Sequence, residues 1–118
     1  MQFTQTAPIL RSFDEAKARV FYIDYLGFQV DWEHRFEPAL PLYMQVSRAG
    51  LVLHLSEHHG DASPGACIFV RMTGLAGFHA ELLAKTFVPL RPGIERKDWG
   101  REMILTDPFM NHLRFCEC

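Results

Sequence analysis

Residues 99–118 read WGREMILTDPFMNHLRFCEC, and this stretch contains two strand-like runs separated by a polar turn. Residues 102–106 and 113–116 are short runs rich in apolar side chains and bounded by turn-forming residues, a pattern typical of strands. Between them lie Asp107 and Asn111, whose side chains commonly cap turns through hydrogen bonds to the nearby backbone. The stretch therefore predicts a strand, a turn and a second strand.

The residues before this stretch extend the pattern toward the middle of the chain. Residues 75–85 predict a helix, because apolar residues recur there at helical spacing. The apolar side of this helix consists of Leu75, Phe78, Leu82 and Leu83. Residues 66–72 predict a strand before the helix, and residues 88–90 predict a strand after it. The expected order in the second half is strand, helix, strand, strand, strand.

The first half of the chain has the same expected order. Residues 6–10 predict a short strand near a sheet edge, because Pro8 has no N–H to donate to a strand ladder. A helix follows, which Ser12 or Asp14 caps and Gly27 ends. Three further strands are predicted at residues 28–35, 42–48 and 51–56, with a tight turn at Ala49 and Gly50 between the last two.

The repeated order predicts an α+β fold made of two βαβββ modules. We expect one domain over residues 1–118, with the first module at about 1–59 and the second at about 64–118, joined by a polar loop. Two such modules are expected to be related by a pseudo-twofold axis, with curled, mixed sheets around a cleft. Concave faces of this kind are where small ligands are buried.

The composition excludes several classes of partner. Twelve Lys and Arg against fourteen Asp and Glu give a formal net charge of −2, without the basic excess that a nucleic-acid backbone requires. The apolar runs are far shorter than the roughly 18 residues of a membrane span, and residues 1–4 have neither the cationic start nor the apolar core typical of a signal peptide. We therefore expect a cytoplasmic protein, in which Cys67, Cys116 and Cys118 are reduced and inert.

Four stretches carry a resemblance to a known family: APILR at 7–11, LGF at 26–28, WGRE at 99–102 and DPFMN at 107–111. Together they resemble the glyoxalase, bleomycin-resistance and extradiol-dioxygenase superfamily, also called vicinal oxygen chelate proteins, and the bleomycin-resistance proteins in particular. The resemblance extends over the whole chain and implies the glyoxalase/bleomycin-resistance fold.

Two positions depart from the family pattern. Met110 stands where a glycine is usual in the DPxGN turn, and Thr86 stands where a glycine often ends the second helix. Both are turn positions that favour positive φ, so these departures concern local loop geometry.

Metal-dependent members of the superfamily take their ligands from the first and last strands of each module. The resemblance places Ala7, His54, Ala66 and Arg114 at these four positions, and His54 is the one suitable metal ligand among them. It therefore implies no bound metal and no cofactor. A metal-dependent glyoxalase or dioxygenase, acting as a lyase or an oxidoreductase, is the alternative function.

The resemblance implies a protein that binds and sequesters a cationic glycopeptide antibiotic such as bleomycin, or a similar amphipathic small molecule, without chemistry. Aromatic faces bind flat heterocycles and cations, and carboxylates bind ammonium or guanidinium groups. The predicted ligand-binding residues are Trp32, Phe36, Tyr43, His54, Trp99, Glu102 and Arg114. Small proteins of this family usually form homodimers, and we expect exchange of the N-terminal strand near Pro8.

Strand alternation leaves some orientations open. Asp31 and Glu33 are expected to share one face of their strand, as a solvated outer face or a ligand contact, while Trp32 takes the other. Only one of the neighbours Arg101 and Glu102 can face the cleft. His54 is either a hydrogen-bonded inner residue or a cleft contact, and Trp99 is either a core aromatic or a ligand contact. Arg114 either pairs with an acid in the cleft or binds an anionic ligand.

Overall fold

The computed structural model describes residues 1–85 and 91–118, and within them the chain forms two four-stranded sheets. The strands are β1 (Ile9–Arg11), β2 (Gln29–His34), β3 (Tyr43–Arg48), β4 (Leu51–Ser56), β5 (Cys67–Arg71), β6 (Glu95–Lys97), β7 (Gly100–Thr106) and β8 (His112–Glu117). Helix α1 (Glu15–Ala18) continues as a π-helical segment (Arg19–Tyr25), and α2 (Leu75–Ala84) follows β5.

Both sheets have the same topology. The first has the strand order β1-β4-β3-β2 and the second β5-β8-β7-β6. In each sheet the first strand pairs in parallel with the last, and the other pairs are antiparallel. The predicted α+β fold and its repeated strand, helix, strand, strand, strand order are confirmed.

The element boundaries differ from prediction at two places. The first strand begins at Ile9 rather than at residue 6, because Pro8 precedes it and contributes only its carbonyl, which accepts a hydrogen bond from the His54 N–H. The strand predicted at 88–90 lies outside the described residues. Between α2 and β7, the described strand is β6.

The first helix begins at a capped turn and ends at a glycine. Asp14 accepts a hydrogen bond from the Lys17 N–H at 3.0 Å, and Gly27 adopts a left-handed φ of +76°. The π-helical turns between these ends are wider than α-helical ones, and Phe21, Tyr22 and Tyr25 are all buried from that segment. The wide turns thus place three aromatic rings in the core within five residues.

One core serves both modules. Alternate residues of the central strands are buried in it, and it also includes the buried faces of both helical segments. The strand residues in this core are Met44, Val46, Leu53 and Leu55 from the first sheet, and Met103, Leu105, Leu113 and Phe115 from the second. Because side chains alternate along a strand, the opposite face of each sheet points away from the core. In the described residues, no helix combines the length and apolar character needed to cross a membrane.

A buried carboxylate links the two modules. Asp107 in the β7–β8 turn accepts a hydrogen bond from the Tyr22 hydroxyl of the first module at 2.6 Å. It also accepts bonds from the backbone N–H groups of Phe109 and Asn111, each at 2.8 Å, and from the Asn111 side-chain amide at 2.9 Å. Burial, and then the charge of Asp107, raise the pKa of Tyr22 well above its usual value. The phenol is therefore a permanent donor to Asp107 at neutral pH.

Asn111 extends this link in two further directions. Its amide nitrogen also donates to the backbone carbonyl of Arg11 at 2.9 Å, and its amide oxygen accepts from the Ala66 N–H at 3.2 Å. The predicted positive φ in this turn is confirmed at Met110, where φ is +69°. Thr86, the other turn position, lies outside the described residues.

Asp107→Asn should destabilise the fold strongly. The carboxylate accepts four hydrogen bonds, three of them from N–H groups that cannot accept one. An amide nitrogen at this position therefore loses at least one of these bonds, and the Tyr22 hydroxyl oxygen is its one possible acceptor among the four groups. We expect the free energy of unfolding to fall by about 3 kcal/mol, measured by urea denaturation. The matched control is Asp98→Asn, a change at an exposed turn carboxylate, which should stay within about 0.5 kcal/mol of the parent. Equal losses in the two variants would contradict the role assigned to Asp107.

Candidate ligand-binding site

The outward face of the first sheet carries a cluster of three aromatic side chains. The Trp32 and Tyr43 rings are stacked, with centroids 5.9 Å apart and planes within 6° of parallel. The His54 ring meets both of them edge-on, at 5.3 Å from Trp32 and 5.2 Å from Tyr43. We call Trp32, Tyr43 and His54 the aromatic patch, which brings together three of the predicted site residues.

A β-bulge in β2 shapes the edge of this patch. Val30 pairs with Val46, whereas Trp32 pairs with the next residue of β3, Gln45, so that Asp31 is an extra residue in β2. A bulge of this kind breaks the alternation of side chains. It places Asp31 on the same face of the sheet as Trp32.

The prediction that Asp31 and Glu33 share one face, with Trp32 on the other, is therefore wrong. Glu33 instead forms an ion pair with Arg19 of the first helical segment, on the other side of the sheet from the stacked ring of Trp32. The bulge shifts the register after Val30, and every later residue of β2 changes face relative to simple alternation.

Asp31 is a fixed negative charge beside the aromatic patch. Its carboxylate accepts hydrogen bonds from the Gln45 amide at 3.0 Å and the Ser47 hydroxyl at 2.9 Å, and also from Gln29. The bonds from Gln45 and Ser47, followed by that from Gln29, lower the pKa of Asp31 below its usual value. Asp31 is exposed and ionised at neutral pH, and it can attract a cation.

The orientation of each group in this network follows from that carboxylate. Because Asp31 only accepts hydrogen bonds, Gln45 must turn its amide nitrogen toward it and its amide oxygen toward His54 Nε2, 2.9 Å away. His54 Nε2 therefore carries the proton. His54 Nδ1 then accepts from the Tyr43 hydroxyl at 2.6 Å. Partial burial lowers the pKa of His54, which favours this neutral form.

The outward face of the second sheet carries a different cluster. Arg114 donates two hydrogen bonds of 3.0 Å to the two carboxylate oxygens of Glu102, which is 2% exposed. The Trp99 indole N–H donates to the same carboxylate at 3.3 Å, and the Arg114 guanidinium lies 5.8 Å from the centre of the Phe69 ring. We call Trp99, Glu102 and Arg114 the ion-pair patch. Arg114 is thus paired with an acid, one of the two alternatives that the sequence left open, and Glu102 holds the opposite charge.

The seventh predicted site residue stands apart from both patches. Phe36 lies in the loop after β2 and is 72% exposed. Its ring makes edge contacts with His34 at 4.7 Å and His58 at 6.1 Å. Phe36 is therefore on a loop surface rather than on the sheet face with Trp32.

A single chain does not bring the two patches together. Within residues 1–85 and 91–118, no hydrogen bond, ion pair or ring contact joins the aromatic patch to the ion-pair patch. A groove of about 320 Å³ lies elsewhere, beside the β3–β4 turn and α2, where Arg48 and Glu81 form a bidentate ion pair. None of the seven predicted residues lines it.

The sheet registers show which residues are equivalent in the two modules. Ile9 of β1 pairs with His54, and Phe69 of β5 pairs with Arg114. Ile9 and Phe69 also stand at the same distance before the helix of their module. His54 and Arg114 are therefore equivalent positions, as the resemblance implied.

The same register corrects one of the four family metal-ligand positions. Ala7 lies two residues before Ile9, and the residue two before Phe69 is Cys67, so that Cys67 rather than Ala66 is the counterpart of Ala7. Across residues 1–85 and 91–118, no three or more His, Cys, Asp and Glu side chains are grouped closely enough to hold a metal ion.

Comparison with known proteins gives the family. A family model described as "Glyoxalase superfamily protein" matches residues 1–118. The chain belongs to the glyoxalase superfamily. No curated protein matches it.

Solved structures share its fold over nearly the whole chain. A bleomycin-binding protein from Streptomyces verticillus in complex with copper(II)-bleomycin has 24% identity and a TM-score of 0.74, covering 100% of this chain and 98% of that one. A bleomycin-binding protein in complex with bleomycin has 26% identity and a TM-score of 0.70, covering 98% and 99%. An antibiotic-binding protein from Streptomyces sp. CB03234 has 19% identity and a TM-score of 0.75, covering 99% and 98%. The glyoxalase/bleomycin-resistance fold is thereby established for this member of the superfamily.

The lowered pKa of His54 predicts a loss of stability in mild acid. Unfolded histidine takes up a proton near pH 6.5, whereas folded His54 does so at lower pH, so the unfolded state binds more protons as the pH falls below about 6.5. Urea unfolding at pH 7.5 and pH 5.5 should show a drop in the free energy of unfolding that is smaller in His54→Gln. The control His59→Gln, at an exposed loop residue, should keep the parental drop. An unchanged drop in His54→Gln would contradict the assignment.

Proposed function

We propose that this protein binds and sequesters an amphipathic small molecule that combines a flat aromatic group with a positive charge, such as a glycopeptide antibiotic of the bleomycin type, without chemistry. The observation that carries the proposal is the stack of Trp32 on Tyr43 beside the ionised Asp31. Trp32 is 42% exposed, so that its ring remains available to a ligand.

The charges of the two patches favour a cationic ligand. Asp31 makes hydrogen bonds with neutral groups, and its negative charge is therefore not cancelled by a bonded cation. Glu102, the carboxylate predicted as a ligand contact, is instead neutralised by Arg114. Aromatic rings add attraction for a cation or a planar heterocycle. A flat ligand with a positive group thus fits the aromatic patch better than an anion does.

The structural relatives support the same class of ligand. Two of the proteins that share this fold are complexes with bleomycin or copper(II)-bleomycin. Function belongs to a site rather than to a fold, and sequence identity to these proteins is low. The proposal for this chain therefore rests on its own aromatic patch, and the relatives supply the first ligand to test.

We also propose that two copies of the chain complete each ligand site. Each patch lies on an outward sheet face, and a ligand on one patch alone would stay open to solvent. Residues 1–6 are exposed, and among residues 1–85 and 91–118 Met1 and Phe3 are the most exposed large apolar side chains. Strand β1 is only three residues long. Exchange of residues 1–11, which include Pro8 and β1, would make between two copies the β1–β4 pairing that the chain here makes with itself. The aromatic patch of one copy could then face the ion-pair patch of the other.

A drug titration followed by tryptophan fluorescence tests the ligand site. Bleomycin added to the full chain should quench emission and saturate near one drug per chain. Trp32→Ala should weaken binding about thirtyfold, the effect of losing a buried aromatic contact worth about 2 kcal/mol. Asp31→Asn should weaken it roughly tenfold, and less at high salt. Asp24→Asn, an exposed carboxylate on the first helical segment, is the matched control and should bind like the parent.

Two outcomes would count against this site. No saturable signal up to about 1 mM drug would mean a binding free energy weaker than about 4 kcal/mol, too weak for sequestration. Parental affinity in Trp32→Ala would remove the aromatic patch from the binding surface.

The proposed dimer predicts a mass in solution of twice the 13.6 kDa of the chain at micromolar concentration. Light scattering measures this directly, and a single-chain mass would contradict the assembly. Strand exchange has its own test at the paired positions Arg11 and Ser56. Cysteines placed there, with the native cysteines replaced by serine, should cross-link two chains on a denaturing gel if β1 is exchanged. A cross-link within one chain would exclude the exchange.

A further inference from the structure

Two cysteine side chains meet at the end of the second sheet. The sulfur atoms of Cys116 and Cys118 are 2.8 Å apart. Cys116 is a buried residue of β8, while Cys118 lies just beyond the strand and is exposed. Residues two apart on an extended chain point to the same side, so that both sulfurs lie on the outward face of the sheet. Neither thiol has a part in the proposed ligand contacts.

A glycine on the neighbouring strand leaves room for this end of the chain. A Cβ added at Gly100 would lie 2.7 Å from the Cα of Cys118 and 2.4 Å from the carbonyl oxygen of Glu117. Gly100 also has a φ of +146°, which side-chain-bearing residues rarely adopt. Only a residue without a side chain lets the two strands approach so closely beside Cys118.

We propose that Cys116 and Cys118 form a site of reversible oxidation, closing to a disulfide within one chain in the presence of a low-molecular-weight disulfide such as oxidised glutathione. The Cys118 thiolate attacks one sulfur of the oxidant, which forms a mixed disulfide and releases one glutathione thiolate. Cys116 then loses its proton to water as its sulfur attacks the Cys118 sulfur, and the second glutathione leaves as its thiolate, which takes up a proton from solvent. Two protein thiols are thereby oxidised, and one oxidant disulfide is reduced to two thiols.

The surroundings of the two thiols determine the order of these steps. Cys118 is exposed and therefore accessible to the oxidant in solution. Burial, and then the contact with Cys118, raise the pKa of Cys116 to about 11, which keeps it protonated at neutral pH. Cys118 is accordingly the attacking thiol, and Cys116 completes the disulfide from a position already in contact.

The third thiol serves as an internal control. Cys67 begins β5 and pairs with His112, whereas the β5 partner of Cys116 is Arg71, at the other end of that strand. Cys67 is exposed, so that it reports ordinary surface reactivity. Cys67 is separated from the sulfur pair by the length of a strand.

The disulfide would adjoin the ion-pair patch. Cys116 pairs directly across the β7–β8 ladder with Glu102, which binds both Arg114 and Trp99. Formation of the disulfide removes the thiol hydrogens next to Glu102 and links residue 118 covalently to the strand. An effect of oxidation on ligand affinity rests on the proposed function, whereas the thiol chemistry does not.

Thiol counting on the full chain tests the site. The protein is equilibrated in buffers with increasing ratios of oxidised to reduced glutathione. Its free thiols are then alkylated under denaturing conditions, and mass spectrometry gives the number of alkyl labels on each chain. We expect two of the three labels to be lost together, with the remaining label on Cys67, and dithiothreitol should restore all of them. Cys118→Ser should keep the labels on Cys67 and Cys116 at the ratios that oxidise the parent. Cys67→Ser should lose the same pair as the parent does.

Other results would overturn the proposal. These are independent loss of single labels, retained glutathione adducts in the parent, or disulfide-linked chains on a non-reducing gel. Gly100→Ala, which displaces residue 118, should need about a tenfold higher oxidant ratio, and the parental ratio would show that the close approach is irrelevant.

The link to ligand binding has a separate readout. Bleomycin titrations of the oxidised and reduced forms should give affinities that differ by about threefold or more, and equal affinities would overturn the link while the disulfide result stands. If neither form binds the drug, the proposed function fails independently of the thiol count.

Discussion

The relative placement of the two modules depends on one buried charge. The Asp107 carboxylate needs all of its lone pairs satisfied, because an unpaired buried charge costs several kcal/mol. Its donors come from the Tyr22 hydroxyl in the first module and from the turn of the second. Asn111 adds bonds to the backbone at Arg11 and Ala66, one at the start of each module. These hydrogen bonds therefore restrict how far the two sheets can shift relative to each other, while the alternation of core and outward residues along the strands determines which faces point outward.

Local patterns predicted most of the fold. Residues 51–56 were predicted to form a strand, and they form β4. The preceding turn defines where this strand begins, and the end of the apolar run defines where it stops. The positive φ at Met110 was likewise expected from its place in the turn. The bulge at Asp31 and the π-helical turns were not predicted. Each inserts a residue into a regular element, and the amino-acid composition gives no sign of the insertion. Both depend on tertiary packing: the bulge on pairing with β3, the helix on burial of Phe21, Tyr22 and Tyr25.

The residue types of the site were easier to predict than their partners. Trp32, Tyr43 and His54 come from strands that are neighbours in the sheet. Glu102 and Arg114 were both predicted as ligand contacts, with pairing of Arg114 to an unnamed acid left open, and the structure shows that this acid is Glu102. Such a pairing depends on the register of β7 against β8, which places Arg114 diagonally next to Glu102. For Asp31, the sequence left open both a solvated position and a ligand contact, because the orientation of its side chain depends on the bulge.

The equivalence of His54 and Arg114 shows how two modules of one topology have acquired different surfaces. At this position the first module has a neutral imidazole with hydrogen bonds at both ring nitrogens, and the network ends at the uncancelled charge of Asp31. The second module has a guanidinium that is bound to a buried carboxylate, which leaves no net charge in that pair. Of the two carboxylates, Asp31 on the first module's face is therefore the one whose charge is not cancelled by a bonded cation. In the dimer proposed above, a ligand with one cationic end would have a single favourable orientation, with that end toward Asp31.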